Sequence, residues 1–194
     1  MKQIKKEIFY KIMLLGNYDS GKTNFILRYV DNTHNSNTLR TIGMDYRIKR
    51  VTLNDGKEAQ IQIWDTCSSE CFNHINSLFY NSINGFIIMY NMTMRESFEN
   101  ARNCLREIRD HTNNDNIVLV GNHIDDYRRT LISTKEGQKF AEDNNLLFFE
   151  TSNLTGFNVN ECFNALINRI YENDPNKINI ELRQIRPRKR GCLK

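Results

Sequence analysis

The sequence predicts an α/β fold, a six-stranded and mostly parallel sheet with helices on both faces, and three observations predict it. Short apolar, β-branched or aromatic runs alternate along the chain with segments of helical period, the pattern of buried parallel strands and their crossover helices. Two extended segments meet at Asn54-Asp55-Gly56, a hairpin signal that adds one antiparallel strand. The first apolar run ends in a glycine-containing loop that leads directly into a helix.

Ile8 to Leu15 reads as a buried strand, and GNYDSGKT, Gly16 to Thr23, separates it from a helical pattern over Asn24 to Tyr29. Asp31 to Arg40 is polar and without sustained period, and is expected as an exposed loop. Met44 to Leu53 and Ala59 to Asp65 are the hairpin strands. Gly85 to Tyr90, Ile117 to Val120 and Leu146 to Phe149 are short apolar runs suited to a parallel sheet, each followed by a helix. Thr93 with Glu96, and Ser133 with Glu136, have the spacing of a capping box, in which each side chain satisfies a free amide at the other's end. The last helix, Asn158 to Tyr171, places Val159, Cys162, Phe163, Leu166, Ile167 and Ile170 at helical spacing.

With 194 residues, 39% hydrophobic and 26% charged, the chain has the composition of one globular domain. Asp174-Pro175 and the loss of apolar period mark its end, so residues 1–172 are expected as the domain and 173–194 as a basic, disordered tail. No apolar run approaches the roughly 18 residues of a membrane span, and the basic start lacks the apolar region of a signal peptide. The cysteines at 67, 71, 104, 162 and 192 form no CxxC pair, which points to reduced thiols in the cytosol rather than a disulfide framework or zinc site. Asparagine is frequent, 27 of 194, so a single Asn carries little weight as a functional signal. From Lys177 to Lys194 the net charge is +6 against +4 for the whole chain, leaving a mildly acidic body. That distribution argues against a nucleic-acid-binding face and for attraction of the tail to an anionic membrane.

GNYDSGKT matches G-x-x-x-x-G-K-[ST], the phosphate loop of P-loop NTPases. Backbone amides of Gly16, Asp19, Ser20 and Gly21 and the helix start at Asn24 would cradle phosphates, Lys22 would meet their charge, and Thr23 would ligate Mg²⁺. The chain continues with TIGMDY at Thr41, IQIWDT at Ile61, NGFIIMYNMTMRESFENA at Asn84, GNHID at Gly121 and ETSN at Glu150. In order and spacing these resemble the small GTPases of the Ras superfamily, and most of all the Rab family, over roughly Ile8 to Tyr171.

The resemblance implies GTP/GDP and Mg²⁺ as cofactors. Thr41 would be the switch I residue that senses the γ-phosphate, and Asp65 would hold a magnesium-bound water. Asn122 and Asp125 would read the base; a carboxylate can accept from both N1 and N2 of guanine, a donor pair that adenine lacks. Ser152 and the backbone amide of Asn153 would complete the guanine pocket.

The chain departs from the family where chemistry is concerned. The second switch of the family begins D-T-A-G-Q-E, whereas this chain has Cys67-Ser68-Ser69-Glu70 after Asp65-Thr66. Ser68 replaces a glycine whose amide approaches the γ-phosphate, and Ser69 replaces the glutamine that orients the attacking water, at a degenerate catalytic position. Tyr18 stands in the phosphate loop where the family has a small residue, in the path of an incoming arginine finger. His123 replaces the lysine of N-K-x-D, Leu154 the lysine of S-A-K, His34 sits where an aromatic packs on guanine, and Thr38 replaces a lidding tyrosine. The expectation is retained guanine selectivity with weaker affinity and slow hydrolysis; the alternative is a GTP-bound, essentially non-hydrolysing interaction module.

By the same resemblance the partners are effector proteins, contacted through the Thr41 loop and the Cys67 to Tyr80 segment, and a guanine-nucleotide exchange factor. Ile42, Met44, Trp64, Phe72 and Phe79 are candidates for that surface, and the protein is expected to be a monomer that binds no nucleic acid. The basic run Arg186 to Arg190 beside Cys192, a lipidation candidate that does not fit C-a-a-X, points to the cytosolic face of an intracellular membrane.

Overall fold

Apolar runs too short to be helices and bounded by turn residues pair into a sheet, and the longer periodic segments cover it. A computed structural model describes residues 8–36, 41–67, 77–123 and 128–175. In chain order the elements are β1 (Ile8–Gly16), a 3₁₀ turn (Tyr18–Ser20), α1 (Lys22–Asp31), β2 (Met44–Thr52), β3 (Glu58–Thr66), α2 (Ser77–Asn81), β4 (Gly85–Asn91), α3 (Arg95–His111), β5 (Ile117–Asn122), α4 (Thr134–Asp143), β6 (Leu147–Thr151) and α5 (Val159–Asn173). The sheet is six-stranded in the order β2-β3-β1-β4-β5-β6. Every pairing is parallel except β2 with β3, joined by the predicted hairpin.

Alternate residues of the central strands point to opposite faces, and each face is covered. Tyr10, Ile12 and Leu14 of β1 and Ile61 and Ile63 of β3 pack with Phe25 and Tyr29 of α1 and Phe163 and Leu166 of α5. Phe163 stacks on Tyr29 at 3.8 Å between centroids and on Phe25 at 5.1 Å. Met13, Leu15, Phe86 and Ile88 meet Phe98, Leu105 and Ile108 of α3 and Phe140 of α4 on the other face. All six apolar positions predicted for the last helix are buried. No described helix is long and apolar enough to cross a membrane.

The predicted capping boxes fare differently. Helix α3 starts at Arg95 with Met94 as its N-cap and no side-chain cap, because the Thr93 hydroxyl donates to Asn91 Oδ1 at 2.8 Å. At α4 the Ser133 half forms, its Oγ accepting from the Glu136 amide at 3.2 Å, but the Glu136 carboxylate is taken by Arg95. A charged partner 41 positions away outcompetes the local return bond. The tail after residue 175 and the start before residue 8 lie outside the described residues.

The topology sends the chain from β1 outward to β3 on one side and back to β4 on the other. Loops at the carboxyl ends of strands diverge at such a reversal and leave a crevice there. The loop after β1 and the ends of β3, β4, β5 and β6 all converge on it.

Candidate functional site

Two glycines set the path of the loop between β1 and α1. Gly16 leaves the strand at φ +142°, where a Cβ would lie 2.2 Å from the Met89 carbonyl oxygen of β4. Gly21 opens α1 at φ +85°, in the left-handed region that glycine occupies without penalty. Between them Asn17 Oδ1 accepts from the Tyr18 amide at 2.8 Å and starts the 3₁₀ turn. The Tyr18 side chain is about half exposed.

Three asparagine amides hold this loop from the sheet side, on three consecutive carbonyls. Asn91 Nδ2, at the end of β4, donates to Asp19 O at 3.3 Å; Asn122 Nδ2, at the end of β5, to Ser20 O at 2.9 Å; Asn153 Nδ2, after β6, to Gly21 O at 2.9 Å. Lys22 is buried, and its ammonium spans the loop, donating to Gly16 O at 2.8 Å and Asn17 O at 3.0 Å. The loop's acceptors are thereby turned toward protein donors and its first turn is braced without any bulky side chain.

Beside it, three oxygens from distant segments converge. Thr23 Oγ1 of α1 donates to Asp65 Oδ2 of β3 at 2.6 Å, Thr41 Oγ1 lies 3.2 Å from the same oxygen, and the two hydroxyl oxygens are 3.1 Å apart. Burial pushes the Asp65 carboxyl above its usual range, against the Thr23 hydrogen bond and the Lys22 charge. Its other oxygen, Oδ1, is buried without a hydrogen-bond partner. A buried carboxyl oxygen left unpaired beside two hydroxyls is a donor set suited to a hard divalent cation. Among the described residues no group of three or more His, Cys, Asp or Glu could hold a metal by itself. A cation here would complete its shell with water and phosphate oxygens, which is how Mg²⁺ is ordinarily bound.

The remaining expected residues are placed less closely. Asn24 uses its amide on the backbone of Asn35, accepting from its N–H and donating to its carbonyl, both at 3.0 Å, and so pins the chain next to exposed His34. His123 follows β5 at φ +72°. Ser152 Oγ accepts from the Thr155 amide at 3.1 Å, closing the turn after β6. Ser68, Ser69, Asp125 and Cys192, with Thr38 and Phe72, lie outside the described residues.

Sequence reasoning missed Asn91, Asn17 and the side-chain role of Asn153, having discounted single asparagines in an Asn-rich chain. It also missed Tyr46 and Ile48. Met44, Tyr46 and Ile48 alternate along one face of edge strand β2 and are all exposed, and Ile42 before them is 98% exposed. Tyr46 packs on Trp64 at 5.0 Å, and Trp64 meets Phe79 edge-on at 5.3 Å, so both remain partly buried.

A braced phosphate loop, a hydroxyl–hydroxyl–carboxylate cluster and an amide from the β5 end thus meet at one crevice, and comparison with known proteins shows the family. The Ras family model matches residues 11–172. The chain is 35% identical over 166 residues to the GTP-binding protein ypt3 of Schizosaccharomyces pombe, covering 85% of this chain and 77% of that protein. It is 37% identical over 166 residues to Ras-related protein Rab11D of Lotus japonicus, covering 85% and 76%, and 38% identical over 155 residues to Ras-related protein RAB1BV of Beta vulgaris, covering 79% and 72%. The chain belongs to the Rab family of small GTPases. Its fold and its relatives support a nucleotide-binding switch, and the family implies GTP or GDP with Mg²⁺. Thr41 lies in the connection between α1 and β2, and Asp65 near the end of β3.

Proposed function

We propose that this Rab-family protein is a GTP/GDP- and Mg²⁺-dependent switch with slow hydrolysis, which recruits effectors in vesicle traffic on the cytosolic face of an intracellular membrane. The observation that carries the reading is the meeting of Thr23, Thr41 and Asp65 beside Lys22. These groups come from the phosphate loop helix, switch I and β3, and a scaffold without nucleotide has no chemical use for the set.

Thr23 and Thr41 would ligate the cation directly and Asp65 through water. Held by these residues, Mg²⁺ would supply neutralisation of phosphate charge. Lys22 brings a second positive charge across the loop, and the backbone amides of Gly21 to Thr23, at the start of α1, would complete the cradle. Thr41 already meets Asp65 and Thr23, and a γ-phosphate with its cation would add contacts there that a diphosphate lacks, so its loop would report the state of the nucleotide. Asn122 spends its amide on Ser20 O and ties the base side to the phosphate side, leaving Asp125 to accept from guanine N1 and N2.

Hydrolysis needs a positioned water. Ser69 is about two bonds shorter than the family's glutamine, and the exposed Tyr18 phenol stands where an arginine finger would enter. Such an arginine is worth about 10³ to 10⁵ in rate. The same Tyr18 favours a second reading, a protein held in its GTP form and regulated by exchange or abundance. Partners are then met through Met44, Tyr46, Ile48, Trp64 and Phe79. The basic residues of 173–194, with Cys192, supply membrane attraction.

Denaturing freshly purified protein, identifying the released nucleotide and reloading a chelated sample with GTP tests the reading. GDP, or steady conversion of GTP to GDP, supports a cycling switch; persistent GTP supports the held form; no nucleotide and no loading sinks both. The double variant Ser69→Gln, Tyr18→Ser is expected to hydrolyse GTP faster, and an unchanged rate refutes the role given to those two positions.

A further inference from the structure

Helix α1 and the loop after β6 are tied to each other in both directions. Asn153 Nδ2 donates to the carbonyl of Gly21, the left-handed residue that opens α1. In return Arg28, about two turns along α1, donates through Nε to the Asn153 carbonyl at 2.9 Å and through Nη2 to the Leu154 carbonyl at 2.8 Å. Its Nη1 reaches the carbonyl of Asn32 at 3.1 Å, the left-handed residue that closes α1. The rigid guanidinium fork therefore spans the end of one element and two successive carbonyls of another. Gly156, at φ +85°, comes so near that a Cβ would lie 3.3 Å from Arg28 Cδ.

The Asn153 side chain is buried, and its Oδ1 has no hydrogen-bond partner. An alanine would fill the position without that uncompensated oxygen. What the amide supplies is the bond to Gly21, the hinge between phosphate loop and helix.

We propose that Arg28 and the Asn153 side chain are positioning residues for the nucleotide base: they clamp residues 152–154 to α1 and hold the Asn153 backbone N–H against position 6 of the ring. This rests on the guanine-nucleotide reading above. Guanine presents a carbonyl oxygen at that position, which accepts from the N–H; adenine presents an amino group, which sets donor against donor. A fixed N–H rejects adenine, and a loop free to swing away relaxes the rejection. The clamp matters more in this chain because His123 and the exposed Leu154 stand where the family's lysine stems cover the nucleotide.

The test is dissociation of N-methylanthraniloyl-GDP from the full chain in Mg²⁺, chased with excess GDP, with competition by GDP and by ADP measured alongside. Arg28→Ala is expected to release the probe about tenfold faster and to narrow the GDP-over-ADP preference by a similar factor. Asn153→Ala shifts both in the same direction by about fivefold. Arg28→Lys, which keeps stem and charge but not the fork, falls between wild type and Arg28→Ala. If Arg28→Ala does not fold, Arg28→Lys and Asn153→Ala decide. A purely structural role weakens both nucleotides equally, so faster release with an unchanged preference overturns the proposal, as does release within twofold of wild type in every folded variant. Wild type that takes up neither nucleotide refutes the guanine reading and the clamp with it; wild type that binds GDP while the variants match it refutes the clamp alone.

Discussion

Replacing Gly21 by alanine should cripple nucleotide binding, and the structure gives the size of the effect. At φ +85° an alanine pays about 1–2 kcal/mol for the left-handed backbone. Its Cβ would lie 2.5 Å from Asn122 Nδ2 and 2.6 Å from Asn153 Nδ2, closer than any real contact, so both amides must withdraw. Each withdrawal forfeits a buried hydrogen bond, to Ser20 O and Gly21 O, at about 1 kcal/mol net. The sum is about 3–4 kcal/mol. At about 1.4 kcal/mol per tenfold, GDP affinity falls by two to three orders of magnitude where the nucleotide needs the loop in this shape. Where the nucleotide-free protein keeps the loop in this shape, the loss falls on the fold instead and lowers the melting temperature by up to about 6–16 °C for a domain of this size. The matched control is Gly56→Ala in the β2–β3 turn, at φ +80° with no atom within 4 Å of the added Cβ. It carries the backbone strain alone and should leave GDP affinity untouched. Equilibrium titration with fluorescent GDP and thermal unfolding of both variants measure the two terms. Gly21→Ala binding within tenfold of wild type, or Gly56→Ala losing affinity equally, refutes the reasoning.

Asp65, whose carboxyl burial holds above its usual range, favours its protonated form in the fold, so the stripped protein loses stability as pH rises through the unfolded value of about 3.9 toward the folded one. Asp65→Asn should therefore raise the melting temperature of metal- and nucleotide-free protein at pH 7, by a margin that narrows on acidification, while making GDP release indifferent to Mg²⁺; a lower melting temperature at pH 7 contradicts the sign. Phe163→Ala removes the ring stacked on Tyr29 and Phe25 at the α1–α5 contact and should cost about 3–5 kcal/mol in urea unfolding. Burial pushes the Cys104 thiol up to about 12 and raises that of Cys162 also, so peptide mapping after iodoacetamide treatment at pH 8 should find both unlabelled until the protein is unfolded.

What could be read from the chain follows from the range over which each pattern acts. Strands β1, β4 and β5 announce themselves as apolar runs because both faces are covered, and Asn54-Asp55-Gly56 fixes the hairpin through local backbone geometry. The GNYDSGKT spacing survives into the structure because its two glycines answer local demands, a left-handed residue and a close approach to β4. The Thr93 capping box fails because its hydroxyl has a nearer acceptor in Asn91, and the Ser133 box is halved because Arg95 reaches Glu136 from another helix. Tyr46 and Ile48 passed unnoticed because Arg47 and Lys49 alternate with them, and alternation alone does not say which face of an edge strand is covered. The asparagines are the sharpest case. Asn91, Asn122 and Asn153 reach consecutive loop carbonyls from 72, 102 and 132 residues away, and an amide's hydrogen bond has no preferred sequence separation. GNHID and ETSN single out Asn122 and Asn153 for the base, but the hold that all three, Asn91 included, have on the loop follows from the order of strand ends in space, set by the parallel crossovers that bring β4, β5 and β6 past the loop one after another.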